Sequence, residues 1–237
     1  MRLDKYLANM GLGTRSQVRK IIKDGRVTVN GYIVYSSKTQ VDEQNDEVMA
    51  DKELLSYQNF FYYMMNKPQD VISATNDDSQ KTVMDLLTKE DQKKSMFPVG
   101  RLDKDTTGLL IITNDGKLSH RLLSPAHHVS KVYEVKVAGV IDDEAQASLA
   151  AGITLKNGEQ TKAAKVQVLK SNEKNSWIRL TISEGKYHQI KRMIGALSMH
   201  VLTLNRIEMG SLKLDTDLAL GEYRKLTTTE IACLKEK

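Results

Sequence analysis

Gly100-Arg101-Leu102-Asp103-Lys104-Asp105-Thr106-Thr107-Gly108 sets an acid beside an arginine between two glycines, just before the apolar run Leu109-Leu110-Ile111-Ile112-Thr113. Glycine lets the backbone bend or be approached closely, and a short apolar run of this kind reads as a strand entering the core. The stretch therefore predicts a loop that presents Asp103 at the lip of a cleft, ahead of a buried strand. Taken alone, an acid in a turn ordinarily bonds neighbouring backbone amides. Weight comes from three other segments: Asn66-Lys67-Pro68, Lys131-Val132-Tyr133 and Glu184-Gly185-Lys186-Tyr187-His188-Gln189-Ile190-Lys191-Arg192-Met193.

Upstream of that loop the chain opens on a separate pattern. Leu3, Leu7 and Met10 recur at helical spacing, Gly11 and Gly13 stop the helix, and Thr14 with Gln17 forms a capping box for a second one. On that second helix Arg15, Arg19 and Lys23 share one edge, while Val18, Ile21 and Ile22 lie on other faces. Gly25 caps it, and Val27-Thr28-Val29, Asn30-Gly31 and Tyr32-Ile33-Val34 read as a hairpin with a tight turn. The 237 residues carry 35 Lys+Arg against 30 Asp+Glu, a formal charge of +5. Residues 1–40 alone hold eight basic side chains and two acids, so this segment exceeds the net charge of the whole chain and reads as a footprint for phosphate.

From Met49 to Asn59 the sequence is polar without a clear period and reads as a linker. Phe60 to Met65 follows as a strand, and further strands are expected at Val71-Ile72, Leu109–Thr113, Tyr133–Val137, Lys165–Leu169, Trp177–Ile182 and Val201–Leu204. Helices are expected near Val83–Leu87, Leu118–Leu123, Asp143–Ala151 and Tyr187–Ala196. Scattered helices among many strands predict an α+β sheet. One cysteine, Cys233, supports neither an internal disulfide nor a cysteine zinc site, and no secretory or spanning apolar run is present. The expectation is a cytoplasmic protein with no membrane association. Gly-x-x-x-x-Gly-Lys and Gly-x-Gly-x-x-Gly are absent, which counts against an ATPase or a dehydrogenase. His120, His127 and His128 lack a carboxylate set at metal-ligand spacing, so no metal is expected.

Taken in order, the four segments resemble the pseudouridine synthases, enzymes that isomerise uridine in RNA. Asp105-Thr106-Thr107-Gly108 and Ser124-Pro125-Ala126-His127-His128 bring the resemblance closest to the small-subunit (16S) rRNA branch, with its uridine 516-type activity. Residues 1–48 resemble the S-four-like (αL) RNA-binding domain, which leaves 49–59 as linker and 60–237 as the catalytic domain. The resemblance covers nearly the whole chain. It implies a small helix-helix-hairpin RNA-binding domain followed by a larger mixed, mainly antiparallel sheet catalytic domain with a central cleft. It also implies ribosomal RNA as the partner, a monomer, and no cofactor.

Pseudouridylation breaks the uracil N1–C1′ bond, turns the base and rejoins it through C5. No redox step, added group or energy source is needed, so one carboxylate can serve. The resemblance gives that role to Asp103, as nucleophile at C1′ or C6 or as the base that opens a glycal route. Asp105 competes for it; it is expected to point away and bond the Thr106 or Thr107 amides. The acid's cationic partner is implied to be Lys191, the basic residue after His-Gln-Ile, with Arg192 the next candidate. Many relatives outside this branch carry arginine there, and lysine is a point charge rather than a bidentate fork. Tyr133 matches the tyrosine that stacks on the flipped base, whose departure from the RNA stack must be offset by pocket contacts. Asn66, Lys67, Arg101, Lys186, His188, Gln189, Arg192 and Arg206 are expected to line the cleft or hold phosphates. Arg2, Lys5, Arg15, Arg19, Lys23 and Arg26 are expected to dock RNA. A sister enzyme acting on 23S rRNA or tRNA is the nearest alternative. A non-catalytic ribosome-assembly factor is the alternative of another class, against which Asp103, Tyr133 and Lys191 argue, since a pure binder needs no such acid.

Overall fold

The computed structural model describes residues 1–43, 45–55, 60–93 and 95–236. It divides into two compact units, Met1–Asn59 and Phe60–Lys237. In the first, α1 (Leu3–Asn9) and α2 (Arg15–Lys23) pack Leu3, Tyr6, Leu7, Val18 and Ile22 into one core with Val27, Val41, Val48 and Ala50. The capping box forms as the sequence predicts: the Gln17 amide N–H donates to Thr14 Oγ1 and the Thr14 N–H donates to Gln17 Oε1. Strands β1 (Val27–Val29) and β2 (Tyr32–Ile33) pair across Asn30 and Gly31, both at positive φ, as a right-twisted two-residue hairpin requires.

The stretch 49–59 departs from the expected linker. With Val48 it supplies β3 (Val48–Ala50), which pairs with β1, and β4 (Glu53–Leu55), which pairs with β3, so the small sheet runs β2-β1-β3-β4. Val48 and Ala50 turn inward, a period of two carried by two residues within a polar run. The remaining linker residues, 56–59, lie outside the described residues.

The second unit is built on one mixed sheet of nine strands. Its main path runs β13 (Tyr223–Lys225), β5 (Tyr62–Lys67), β7 (Thr107–Thr113), β11 (His200–Met209), β8 (Lys131–Ala138), β10 (Asn175–Ile182) and β9 (Lys165–Ser171). Two short strands, β6 (Phe97–Pro98) and β12 (Leu212–Lys213), add to β7 and β11. Among the described residues the β7–β11 ladder is parallel and the other ladders are antiparallel. Leu110 and Ile112 face one core, shared with α4 (Asp143–Ala151) and α5 (Gln189–Ala196). Leu109 and Ile111 face the other, shared with α3 (Gly116–Leu123) and α6 (Thr228–Lys235). A strand covered on both faces has no polar side to show, which is why this run is uninterrupted.

Several expectations are corrected. Val71-Ile72 forms only an isolated bridge, Ile72 to Thr82, and Val83–Leu86 is a 3-10 turn rather than a longer helix. Helix α5 begins at Gln189, because His188 takes a left-handed conformation with φ +47° at its N-cap. Helix α6 adds to the expected elements, with Thr227 and Glu230 closing a capping box at its start.

Gly108 joins the loop to the sheet. Its φ is +102°, and a Cβ there would lie 2.2 Å from the Arg206 carbonyl oxygen and 2.4 Å from Asn205 Oδ1. Gly108→Ala therefore combines backbone strain with a backbone clash on the neighbouring strand, and a loss of about 2–4 kcal/mol is expected. Urea denaturation measures it. A midpoint unchanged from the parent would mean that β7 and β11 are not held this close.

Candidate active site

Three fixed points shape the loop that carries Asp103. Leu102 is buried, and Ser73 clamps it from both sides: the Leu102 N–H donates to Ser73 Oγ, and Ser73 Oγ–H donates to the Leu102 carbonyl, each at 3.0 Å. A turn closes behind it, where the Thr106 N–H donates to the Asp103 carbonyl. Lys67, fully buried at the end of β5, donates from Nζ to the carbonyls of Pro68 at 2.9 Å, Thr106 at 3.0 Å and Lys104 at 3.4 Å. Asp70 N–H and Gln69 Nε2 add bonds to the Lys104 and Asp105 carbonyls. Both ends of the loop are thus tied, and Asp103 is held between them.

The opposite wall starts at Gln189. Its side chain is buried, donates from Nε2 to Glu184 Oε1 at 2.6 Å and accepts from the Lys186 N–H at 3.0 Å. That brace sets the chain before α5, and the first turn of the helix delivers Lys191. Lys191 Nζ lies 3.0 Å from Asp103 Oδ2 and 2.6 Å from Asp105 Oδ1. His188 Nε2 is 3.6 Å from Asp103 Oδ1, with its ring stacked on Tyr187 at 3.8 Å between centroids. Burial opposes the charge on Lys191, but hydrogen bonds and attraction from both acids outweigh it and hold its pKa above the ordinary lysine value. The Lys191 hydrogen bond likewise pulls Asp105 below the usual carboxylate range.

Arg101, Leu102, Asp103, Thr106, Tyr133, Ile182, Lys186, His188, Gln189, Lys191 and Leu204 line one open cleft. Tyr133 is supplied by β8, where it sits opposite Leu180 of β10 and Arg206 of β11. Asp105 is not among the lining residues. Its side chain is 67% exposed against 26% for Asp103, so the two acids share a lysine but only one faces the cavity.

Several expectations for individual residues change. Asp105 does not turn away to bond the Thr106 or Thr107 amides, because the Lys191 ammonium draws its carboxylate across the loop. Lys67 holds no phosphate: its ammonium is enclosed and bound to carbonyls. Arg206 is buried and donates from Nε to the Leu109 carbonyl, which removes it from any phosphate. Asn66 donates from Nδ2 to the Leu218 carbonyl and belongs to the contact with the C-terminal segment, not to the cleft. Gln189 reaches the cleft wall, but its amide is spent on Glu184 and Lys186. Lys186 and Arg192 are both engaged by Glu159, at 2.8 and 3.3 Å. In the first unit, Arg2 and Arg19 converge on buried Asp4, and Arg26 pairs with Asp51. Ser73 and Glu159 are invisible to sequence reading. No local spacing marks either, since each acts on a segment distant in the chain. Among the described residues, no group of His, Cys, Asp and Glu stands ready to hold a metal ion, and no helix is long and apolar enough to cross a membrane.

Comparison with known proteins bears on this geometry. A model of the RNA pseudouridylate synthase family matches residues 61–196, and one of the S4 domain matches residues 1–48. The chain is 48% identical over 236 residues to the uncharacterized RNA pseudouridine synthase YtzG of Bacillus subtilis, covering 100% of this chain and 99% of that one. It is 43% identical to ribosomal small subunit pseudouridine synthase A of Haemophilus influenzae, covering 98% of each. The Escherichia coli protein of that name is 40% identical over 98% of this chain and 99% of its own. A crystal structure of a pseudouridylate synthase superposes with a TM-score of 0.68 at 41% identity, covering 99% of both chains.

Burial pushes the Lys67 pKa down to about 8 from 10.5, with Asp105, Asp103 and Asp70 pulling the other way. Between those values the unfolded chain binds more protons than the folded one, so the contribution of this group to stability rises from about pH 8 to about pH 10.5. The parent is expected to gain stability relative to Lys67→Met across that window, measured by urea denaturation at both ends. A difference that stays flat with pH would mean that the ammonium is solvated. Lys67→Met should also lower turnover, on the order of 100-fold, by letting the Asp103 loop shift.

Proposed function

This chain belongs to the RNA pseudouridylate synthase family, and from that premise we propose that it converts a uridine of small-subunit ribosomal RNA to pseudouridine, with Asp103 as the reacting carboxylate. The family reaction is an isomerisation of uridine in RNA. The observation that carries the assignment to Asp103 is its position in the cleft with Tyr133, 3.0 Å from Lys191, while Asp105 stands outside. The reaction is balanced without a co-reactant: the N1–C1′ bond breaks, a C1′–C5 bond forms, the C5 proton leaves and N1 gains one. Asp103 acts at C1′, at C6 or as the initiating base. Lys191 supplies a fixed countercharge, and Tyr133 offers an aromatic floor against which an unstacked base is held.

The small-subunit target rests on the names of the relatives from Haemophilus influenzae and Escherichia coli, and a uridine 516-type position is the finer form of the same proposal. Residues 1–48 dock the RNA, and the protein works in the cytoplasm. Within that module Lys5, Arg15, Lys20, Lys23 and Lys38 are exposed cations with no carboxylate partner among the described residues, whereas Arg2, Arg19 and Arg26 are already paired.

Asp103→Asn is expected to abolish pseudouridine formation on an unmodified small-subunit rRNA transcript while RNA affinity stays within a few fold, and Asp105→Asn to keep measurable turnover. Base-resolution pseudouridine mapping reads both. Substantial turnover by Asp103→Asn would sink the assignment, and loss confined to Asp105→Asn would transfer it.

Replacing Lys5, Arg15 and Lys23 with glutamine should flatten the log-log salt dependence of RNA binding by roughly 0.7 to 0.9 for every phosphate that is no longer neutralised. Replacing Arg2, Arg19 and Arg26 should change the slope less. An unchanged slope in the first triple variant would leave these three cations facing solvent.

A further inference from the structure

The cations beside the cleft are not free, and one acid accounts for two of them. Lys186 Nζ lies 2.8 Å from Glu159 Oε1, and Arg192 Nη2 lies 3.3 Å from Glu159 Oε2, so one carboxylate is held through both oxygens by an ammonium and a guanidinium. This donor set also suits two oxygens of a phosphodiester. Lys186 lines the cleft, and Arg192 directly follows Lys191, the partner of Asp103.

Two acids touch Lys186, and they differ in kind. Glu184 stands at 3.6 Å with its side chain only 9% exposed, and its Oε1 accepts from Gln189 Nε2 and from the Lys162 N–H, so it is built into the wall. Glu159 is 37% exposed, and its carboxylate is engaged by Lys186, Arg192 and the neighbouring Asn157. The turn that carries it is closed without that carboxylate. Leu155 N–H donates to the Glu159 carbonyl, Gly158 N–H to the Leu155 carbonyl, and Gln160 Nε2 to the Gly152 carbonyl, while Leu155 itself is buried. Lys186 also donates to the Gln160 carbonyl at 3.1 Å, which keeps the ammonium in place when the acid departs.

We propose that Lys186 and Arg192 form a phosphodiester site beside the catalytic cleft, which the Glu159 carboxylate fills until an RNA strand displaces it. The inference rests on the reading that this cleft takes RNA. Half-exposed ion pairs are weak, so a phosphate backbone held by other contacts can take the carboxylate's place. Unattached anions meet a neutralised surface. The arrangement favours an RNA already docked in register over phosphate met at random.

Glu159→Gln keeps the shape of the side chain and removes its charge. Binding of an unmodified small-subunit rRNA transcript should tighten roughly two- to tenfold at low salt, the range expected for releasing two weak pairs. Glu173→Gln, the same charge change on another loop, controls for net charge. In a Lys186→Ala, Arg192→Ala background, Glu159→Gln should have no effect beyond that control. The site is overturned if Glu159→Gln matches Glu173→Gln, if it weakens binding, or if its gain persists in the double-alanine background. Pseudouridine formation by the parent on the same RNA is read in parallel. Failure of the parent to modify the RNA would strike the functional reading, whereas modification with an unresponsive Glu159→Gln would strike this inference alone.

Discussion

A buried ammonium organises the reacting end of this protein. Lys67 lies at the end of β5 with no exposed surface, and its three hydrogen bonds end on carbonyls of the turn after its own strand and of the loop before β7. A charge so placed is costly unless every donor is used. Here the cost is offset by the three carbonyls it reaches and by the acids Asp105, Asp103 and Asp70 nearby. The consequence is geometric: Lys67 fixes the backbone after Asp103 as the Ser73 clamp on Leu102 fixes it before, so the carboxylate meets Lys191 from α5 and shares the cleft with Tyr133 from β8 without any of the three being adjacent in sequence.

The family and its architecture are legible in the sequence because their signals are local. The Thr14–Gln17 box, the Asn30-Gly31 turn and the double-sided run Leu109–Ile112 each report their structure within a few residues. Asp103, Tyr133 and Lys191 are legible through motifs, and all three line one cleft. Residues whose identity is shared by two roles are harder. Lys67 and Arg206 look like phosphate ligands in a basic sequence, yet both are buried and donate to backbone carbonyls inside the protein. Nothing in the order of residues distinguishes a cation that faces solvent from one that neutralises strand ends. The β3–β4 pair is hidden for a related reason: its inward residues are Val48 and Ala50, too few to stand out from the charges around them.

Charge around the cleft is balanced rather than simply positive. Lys191 is shared by Asp103 and Asp105, Lys186 by Glu159 and Glu184, and Arg192 is held by Glu159. In the first unit the same pattern appears where Asp4 gathers Arg2 and Arg19 and Asp51 takes Arg26. A formal charge of +5 on 237 residues is small for a protein that must follow a polyanion. Pairing of this kind explains how it suffices: cations are concentrated at chosen points and orientated by acids, so attraction is expressed where phosphates replace carboxylates in matching geometry. Long-range attraction depends on net charge and is screened within about a Debye length. Short-range exchange of one acid for another depends on position, and position is what an enzyme that selects a single uridine has to read.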